Sequence, residues 1–260
     1  MTVYDAWTDP GPYHVAIAAC PDDPAALVDI VQGLLLHDAA LALYGLSEAD
    51  MGPISRETLP VGQRLERILM RDEAPLIRPR PPRQREIGTC RDYALLLTSL
   101  LRMKGHEAHL RCGFANYFEL DGWEDHWIVE YRSPGETAWR FADAQLDAAH
   151  QMHLGLTVVA SDLPTGRFLP ADRAWVAHRT GKIPAGCFGH GAATGVEMLV
   201  VNLARDRLVL GGHVTSDWDT WRDSLPWGHM PGDRLIVLGD CLANGIGEVS
   251  QPFWRDAIEG

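Results

Sequence analysis

The chain of 260 residues has no CxxC pair, no surplus of positive charge and no apolar run of membrane-spanning length. Each absence excludes something. The five cysteines (20, 90, 112, 187 and 241) are odd in number and scattered, which argues against a disulfide framework and for a reducing compartment. A net charge of −12 argues against nucleic acid or an anionic membrane as the main partner, because both need a basic face that releases counterions. His37 and Asp38 interrupt even the longest apolar candidate, so no membrane span is expected. The opening MTVYDAWTDPGPYH lacks the basic and apolar regions of a signal peptide, and a cytoplasmic location is the expectation. No internal repeat, GxxxxGK[ST] loop or EF-hand-type loop is present, so no cofactor is expected. Cys187 and His190 supply half a zinc site without a second pair at ligand spacing, so no metal is expected either.

What is present is ordinary globular composition, 46% apolar and 22% charged. From Pro24 to about Tyr44 the apolar positions follow helical spacing, with Pro24 near the start and Gly45 just past the end. A second helix is expected from about Val61 to Arg71. Then comes APLIRPRPPRQR, with four prolines between 75 and 82, which cannot be regular helix or central strand. It reads as an extended connector anchored by Leu76 and Ile77. Its arginines at 78, 80, 83 and 85 form a short basic loop.

The connector leads into GTCRDYALLLTSLLRMKG, residues 88 to 105. Thr89-Cys90-Arg91-Asp92 matches a capping box, which makes Cys90 the first helical residue. Leu96, Leu97, Leu100 and Leu101 supply the buried face and Gly105 ends the helix. EAHLRCGFA alternates as a half-buried strand, and DHWIVEY and TAWRFADAQ read as two further strands joined by a turn at SPGE. One helix followed by hairpin-connected strands implies an α+β fold, with an antiparallel sheet packed on the cysteine helix. Beyond residue 155 the signals weaken: LTVVA reads as a short strand, and AWVAHR and GVEMLVVNLARDRLVL have mixed periodicity. The tryptophans at 218, 221 and 227 read as core or lid packing.

A thiol at a helix N-terminus faces backbone amides and the positive end of the macrodipole, and both favour the reactive thiolate. Asp92, one turn in, works against this, and Arg91 offsets it. A cysteine nucleophile also needs a base, usually histidine, and the base needs a group that fixes its tautomer. His126 in DHWIVEY and Asp143 in FADAQ provide those residue types, on strands that adjoin if they pair through SPGE. His150 and His153 read as surface histidines on one helix face.

Together, GTCRDYALLLTSLLRMKGHEAHLRCGFA, DHWIVEY and WRFADAQLD resemble the transglutaminase-like superfamily of papain-related Cys-His-Asp enzymes over residues 85 to 147. The Pro/Arg connector and the DAQLD sequence resemble an uncharacterised bacterial branch of it. The resemblance implies Cys90 as nucleophile, His126 as general base and acid, and Asp143 as the orienting carboxylate. It also implies an oxyanion hole made by the Cys90 amide and a second, upstream donor. Papain-like enzymes use a glutamine there and transglutaminases a tryptophan. Gln84 is the candidate, since no tryptophan lies between residues 8 and 122. Trp127 is the candidate to shield the imidazole or line the substrate site.

The resulting expectation is an N-terminal helical segment (1–74), a papain-like, transglutaminase-like catalytic core (75–155) and a C-terminal extension (156–260) packed on the core. The expected activity is acyl transfer from a small amide or peptide through a thioester, with water or an amine as acceptor. The alternative is a noncatalytic interaction module on the same fold.

Overall fold

A computed structural model of the protein describes residues 5–52, 56–118, 122–214 and 232–244. Trp218, Trp221 and Trp227 lie outside the described residues. The helices are α1 (His14–Ala18), α2 (Pro24–Leu34), α3 (Glu48–Met51), α4 (Val61–Arg71), α5 (Cys90–Met103), α6 (Ala148–Leu154), α7 (Ala171–Arg179), α8 (Val196–Leu210) and α9 (Gly232–Ala243). The strands are β1 (Leu35–His37), β2 (Glu86–Gly88), β3 (Glu107–Ala115), β4 (Trp123–Arg132), β5 (Arg140–Ala142), β6 (Phe168–Pro170), β7 (Phe188–His190) and β8 (Ala193–Thr194). The class is α+β. The chain divides into two units, Met1–Leu110 with Trp127–Pro164, and Arg111–His126 with Thr165–Gly260. Among the described residues, no helix is long and apolar enough to cross a membrane.

In the first unit α5 packs on α2, with α1, α4 and β2 alongside. Its enclosure exceeds the expected leucine face, because every residue from Cys90 to Leu101 is buried. The enclosed hydroxyls are satisfied: Thr98 Oγ1 donates to the Ala94 carbonyl (2.8 Å) and Ser99 Oγ to the Thr8 carbonyl (2.7 Å).

The helix expected from Pro24 to Tyr44 stops at Leu34. Asp23 caps its start, accepting from the Ala26 amide at 2.9 Å. The chain then extends as β1, which pairs in parallel with β2 in the register Leu35–Glu86, Leu36–Ile87 and His37–Gly88. A continuous run such as Leu34-Leu35-Leu36 suits a buried strand as well as a helix, so periodicity does not separate the two. A 3-10 helix, Asp38–Tyr44, follows.

The proline connector is neither helix nor strand except for a 3-10 turn at Pro82–Gln84. It winds around Arg80, whose side chain is fully buried. Leu76 is buried, while Ile77, the other expected anchor, is exposed.

The strands beyond β2 form a mixed sheet in the order β6-β3-β4-β7-β8, with β5 also paired to β4. In the first unit β4 and β5 pair antiparallel, Val129 opposite Ala142, across the turn that closes with the Glu136 amide on the Ser133 carbonyl. In the second unit β3 pairs antiparallel with β6, and β4 pairs in parallel with β7. The sheet is therefore not purely antiparallel as expected. A long connection carrying α6 and α7 separates β4 from β7, and such a crossover is what a parallel pair requires. LTVVA contributes only an isolated bridge, Val159 to Asp162.

The second unit has its own core, in which Phe114, Trp175, Phe188, Leu199, Val200 and Leu238 are buried together. The segments of mixed periodicity are α7 and α8. α9 approaches so closely that a Cβ on Gly239 would lie 2.2 Å from the Trp175 ring, which explains a glycine there.

Candidate active site

Cys90 is the first residue of α5 and is 6% exposed. The capping box forms as expected. Asp92 Oδ2 accepts from the Thr89 amide at 2.8 Å and from Thr89 Oγ1 at 3.3 Å. Gly88 leaves room for that carboxylate, since a Cβ there would lie 2.9 Å from Asp92 Cβ. The charge of Asp92 is answered by Arg64 of α4. The buried Arg64 guanidinium donates to Asp92 Oδ1 (2.8 Å) and to the Ile87 carbonyl (2.6 Å) and lies 3.5 Å from Glu86. Arg91 lies with its guanidinium 5.6 Å above the Trp127 ring, and Trp127 is buried.

The charge of the Cys90 sulfur acts on the imidazole of His37. The β1–β2 pairing sets His37 beside Gly88, two residues before the cysteine. The His37 side chain is 11% exposed and its ring stacks on Tyr93 of α5, centroids 6.4 Å apart at 26°. Its Nδ1 accepts from the Ala39 amide at 3.2 Å and lies 3.1 Å from Asp38 Oδ1. Burial disfavours charge on the ring. The hydrogen bonds to Asp38 and to the Cys90 sulfur, together with the negative charges of both, outweigh that and raise its pKa to about 9. Burial would raise the Asp38 pKa, but His37 and Arg56 lower it to about 2.

Asp143 follows β5 and is buried. Its Oδ1 accepts from the Gln145 amide at 2.9 Å, and its own amide donates to the Ala160 carbonyl at 2.8 Å. The phenol of Tyr93 is pushed up by burial first, then by the charges of Tyr44 and Asp147 and more weakly by Asp143. The first unit therefore holds Cys90 with His37 and Tyr93, and Asp143 within electrostatic reach of Tyr93. Gln84 is exposed on its 3-10 turn.

His126 lies on β4 and belongs to the second unit. It is buried, framed edge-on by Phe118 (4.8 Å) and Tyr117 (5.9 Å). Asp125, just before it, is clamped by α8: Asn202 Nδ2 donates to Oδ1 at 2.8 Å and Arg205 to Oδ2 at 3.1 Å. α8 thus fixes the segment of strand that carries the histidine.

The other candidates are structural in place. His150 is buried, not a surface group, because the N-cap Asp147 (2.9 Å) and Tyr44 (3.3 Å) hold its Nδ1; His153 is exposed. The basic loop has local partners: Arg78 on Asp72 (2.6 Å), Arg83 on Asp50 (2.7 Å), and Arg85 over Tyr44 (5.5 Å). His190 pairs with Glu124, and no cluster of potential metal ligands occurs among the described residues.

Sequence reasoning missed His37, Asp38 and Arg64. The available signal was the His-Asp pair inside LLLHDAAL, a polar interruption where an enclosed run would otherwise continue. No family model, curated protein or solved structure matches the chain. The described residues themselves show an α+β protein with a buried cysteine at a helix N-terminus and a histidine–aspartate pair in the same unit.

Proposed function

We propose that the protein is a cysteine-dependent acyl-transfer enzyme with a papain-like, transglutaminase-like core, acting on an amide or peptide through a thioester. The observation that carries this reading is a buried cysteine at the first position of a capped helix, with a largely enclosed imidazole, that of His37, within electrostatic reach. A cysteine kept only for packing needs no such partner, whereas a nucleophile does. The roles of His126 and Asp143 rest on the sequence motifs.

In this reaction the Cys90 thiolate adds to the carbonyl carbon and the carbonyl electron pair moves to oxygen. The tetrahedral adduct collapses with cleavage of the C–N bond, and His126 gives its proton to the leaving amine. Water or an amine then attacks the thioester and loses its proton to His126, and the C–S bond breaks to restore the thiolate. Asp143 orients the histidine. The amide of Cys90, at the helix start, is the first oxyanion donor.

The test is a panel of small amide and peptide acyl donors offered to wild type and Cys90→Ala, with the adduct read by intact mass. A thioester that forms on wild type and is absent from Cys90→Ala supports the proposal. Turnover that persists in Cys90→Ala rejects it, and a wild type that is never acylated across the panel favours the noncatalytic module.

A further inference from the structure

We infer that the protein binds an organic ammonium ion, a protonated amine with an apolar body, in a cleft of the first unit between α2 and the chain from Leu146 to Ser161. This site goes beyond the acyl-transfer reading and does not depend on it. The cleft encloses about 520 Å³, a size that suits a small molecule.

The two walls of the cleft are built differently. On α2 it is lined by Ala25, Val28, Asp29 and Gln32, positions i, i+3, i+4 and i+7, which share one face of a helix. The opposite wall is held in shape by the protein itself. Gln151 Nε2 donates to the Leu146 carbonyl (3.0 Å) and its Oε1 accepts from the Val158 amide (3.3 Å), so one side chain ties the start of the wall to its return. The Asp143 amide on the Ala160 carbonyl (2.8 Å) and the Tyr131 hydroxyl on the Ser161 carbonyl (2.8 Å) hold the far end. Val28 and Leu146 line the cleft as buried side chains, while Met152 and Val159 line it exposed to water. Covering that apolar surface favours a ligand with an apolar body.

The polar groups select a cation. Among the described residues that line the cleft, Asp29 is the only charged one. Neither its carboxylate nor the Gln32 carboxamide makes an ion pair or a side-chain hydrogen bond with another described residue. The acids that precede α2 are already engaged, Asp22 by Lys104 (3.1 Å) and Asp23 by the Ala26 amide (2.9 Å). Ser161, 7% exposed, spends its carbonyl on Tyr131 and leaves its hydroxyl as a further polar point in the cleft. A carboxylate attracts a cation and repels an anion. Asp29 and Gln32, three residues apart on α2, are neighbours on the helix surface, and the carboxamide oxygen accepts an N–H as the carboxylate does. One carboxylate among apolar groups does not make a metal site, and no cluster of potential metal ligands occurs among the described residues. An ammonium head on an apolar body uses both halves of the cleft.

The test titrates the full chain with hexylammonium, hexanol and hexanoate, which share one apolar body and differ only in the head. Amide correlation spectra read both affinity and place. Hexylammonium is expected to give saturable shifts in residues 25–32 and 146–161, including the side-chain amides of Gln32 and Gln151. Asp29→Asn, at an exposed position, is expected to weaken hexylammonium by about fivefold, the upper range for an ion pair that water reaches. The same substitution leaves hexanol unchanged, and hexanoate binds more weakly than hexanol to wild type. Ala25→Trp, also at an exposed position, sets a ring in the cleft and abolishes the shifts, with far-UV circular dichroism checking that both variants fold. Equal affinity for the three heads overturns the proposal, because it is the mark of apolar partition alone. An affinity for hexylammonium that Asp29→Asn leaves unchanged overturns it too, as do shifts that fall outside the two segments or never saturate.

Discussion

Asp92 shows how much of the site rests on one carboxylate held from two directions. One oxygen closes the helix cap with Thr89 and the other binds Arg64, 28 residues away. The first contact is local and follows from the Thr-x-x-Asp spacing. The second depends on how α4 lies against α5, which no local pattern encodes. The same distinction explains His37, whose partner is selected by the register of two three-residue strands. Removing one member of a buried ion pair leaves the other charge uncompensated. Arg64→Met is therefore expected to cost about 3–5 kcal/mol in urea unfolding. Gly88→Ala, whose new methyl meets Asp92 Cβ at 2.9 Å, should cost about 1–3 kcal/mol. A smaller loss in Arg64→Met than in Gly88→Ala would show that the pair contributes less than the cap.

At the scale of elements, legibility followed length and periodicity. α4, α5, β3 and the β4–β5 hairpin lie where amphipathic spacing, capping and turn residues placed them. The short pieces were not legible: β1 hides in a leucine run, and LTVVA is fixed by the Asp143 amide on the Ala160 carbonyl rather than by a ladder. The proline connector is a third kind of case. Composition excluded regular structure but did not reveal what holds the segment. Arg80 donates to the carbonyls of Asp72, Ala74, Pro75, Leu76 and Arg78 at 2.6 to 3.5 Å, and its own amide bonds the Gly33 carbonyl at 2.9 Å. A chain without its own ladder is thus organised around one guanidinium, and it delivers β2 to β1. Arg80→Met keeps the aliphatic stem but strips those carbonyls of their donor. The expected cost is about 3 kcal/mol or more, accompanied by faster hydrogen exchange at Arg80 and in β2. Unchanged exchange at β2 would show that the connector is held elsewhere.

For the whole molecule the α+β class was readable because hydrophobic period switches from helix to strand after Gly105. The parallel β4–β7 pair was not, since β7 is three residues long and far along the chain. The stability should carry the signature of the half-buried charges in the first unit. Asp147, bound by His150 and Tyr44 against the opposing effect of burial, and Asp38 both have pKa values lowered to about 2. A lowered carboxylate contributes stability that is present above its unfolded value of about 3.9 and lost as pH falls towards the folded one. His37, raised to about 9, contributes with the opposite sign: fully below its unfolded value of about 6.5, and lost as pH rises through 9. Both contributions are complete only between about pH 4 and about pH 6.5, so Tm should plateau there and decline on either side. The net charge of −12 adds self-repulsion at alkaline pH, and the two causes are separable. Asp147→Asn should lose about 2 kcal/mol at neutral pH and almost nothing near pH 2. His37→Asn should lose up to about 3 kcal/mol below pH 6.5 and converge with wild type above pH 9. If the alkaline decline persists unchanged in His37→Asn, it comes from general repulsion and not from His37.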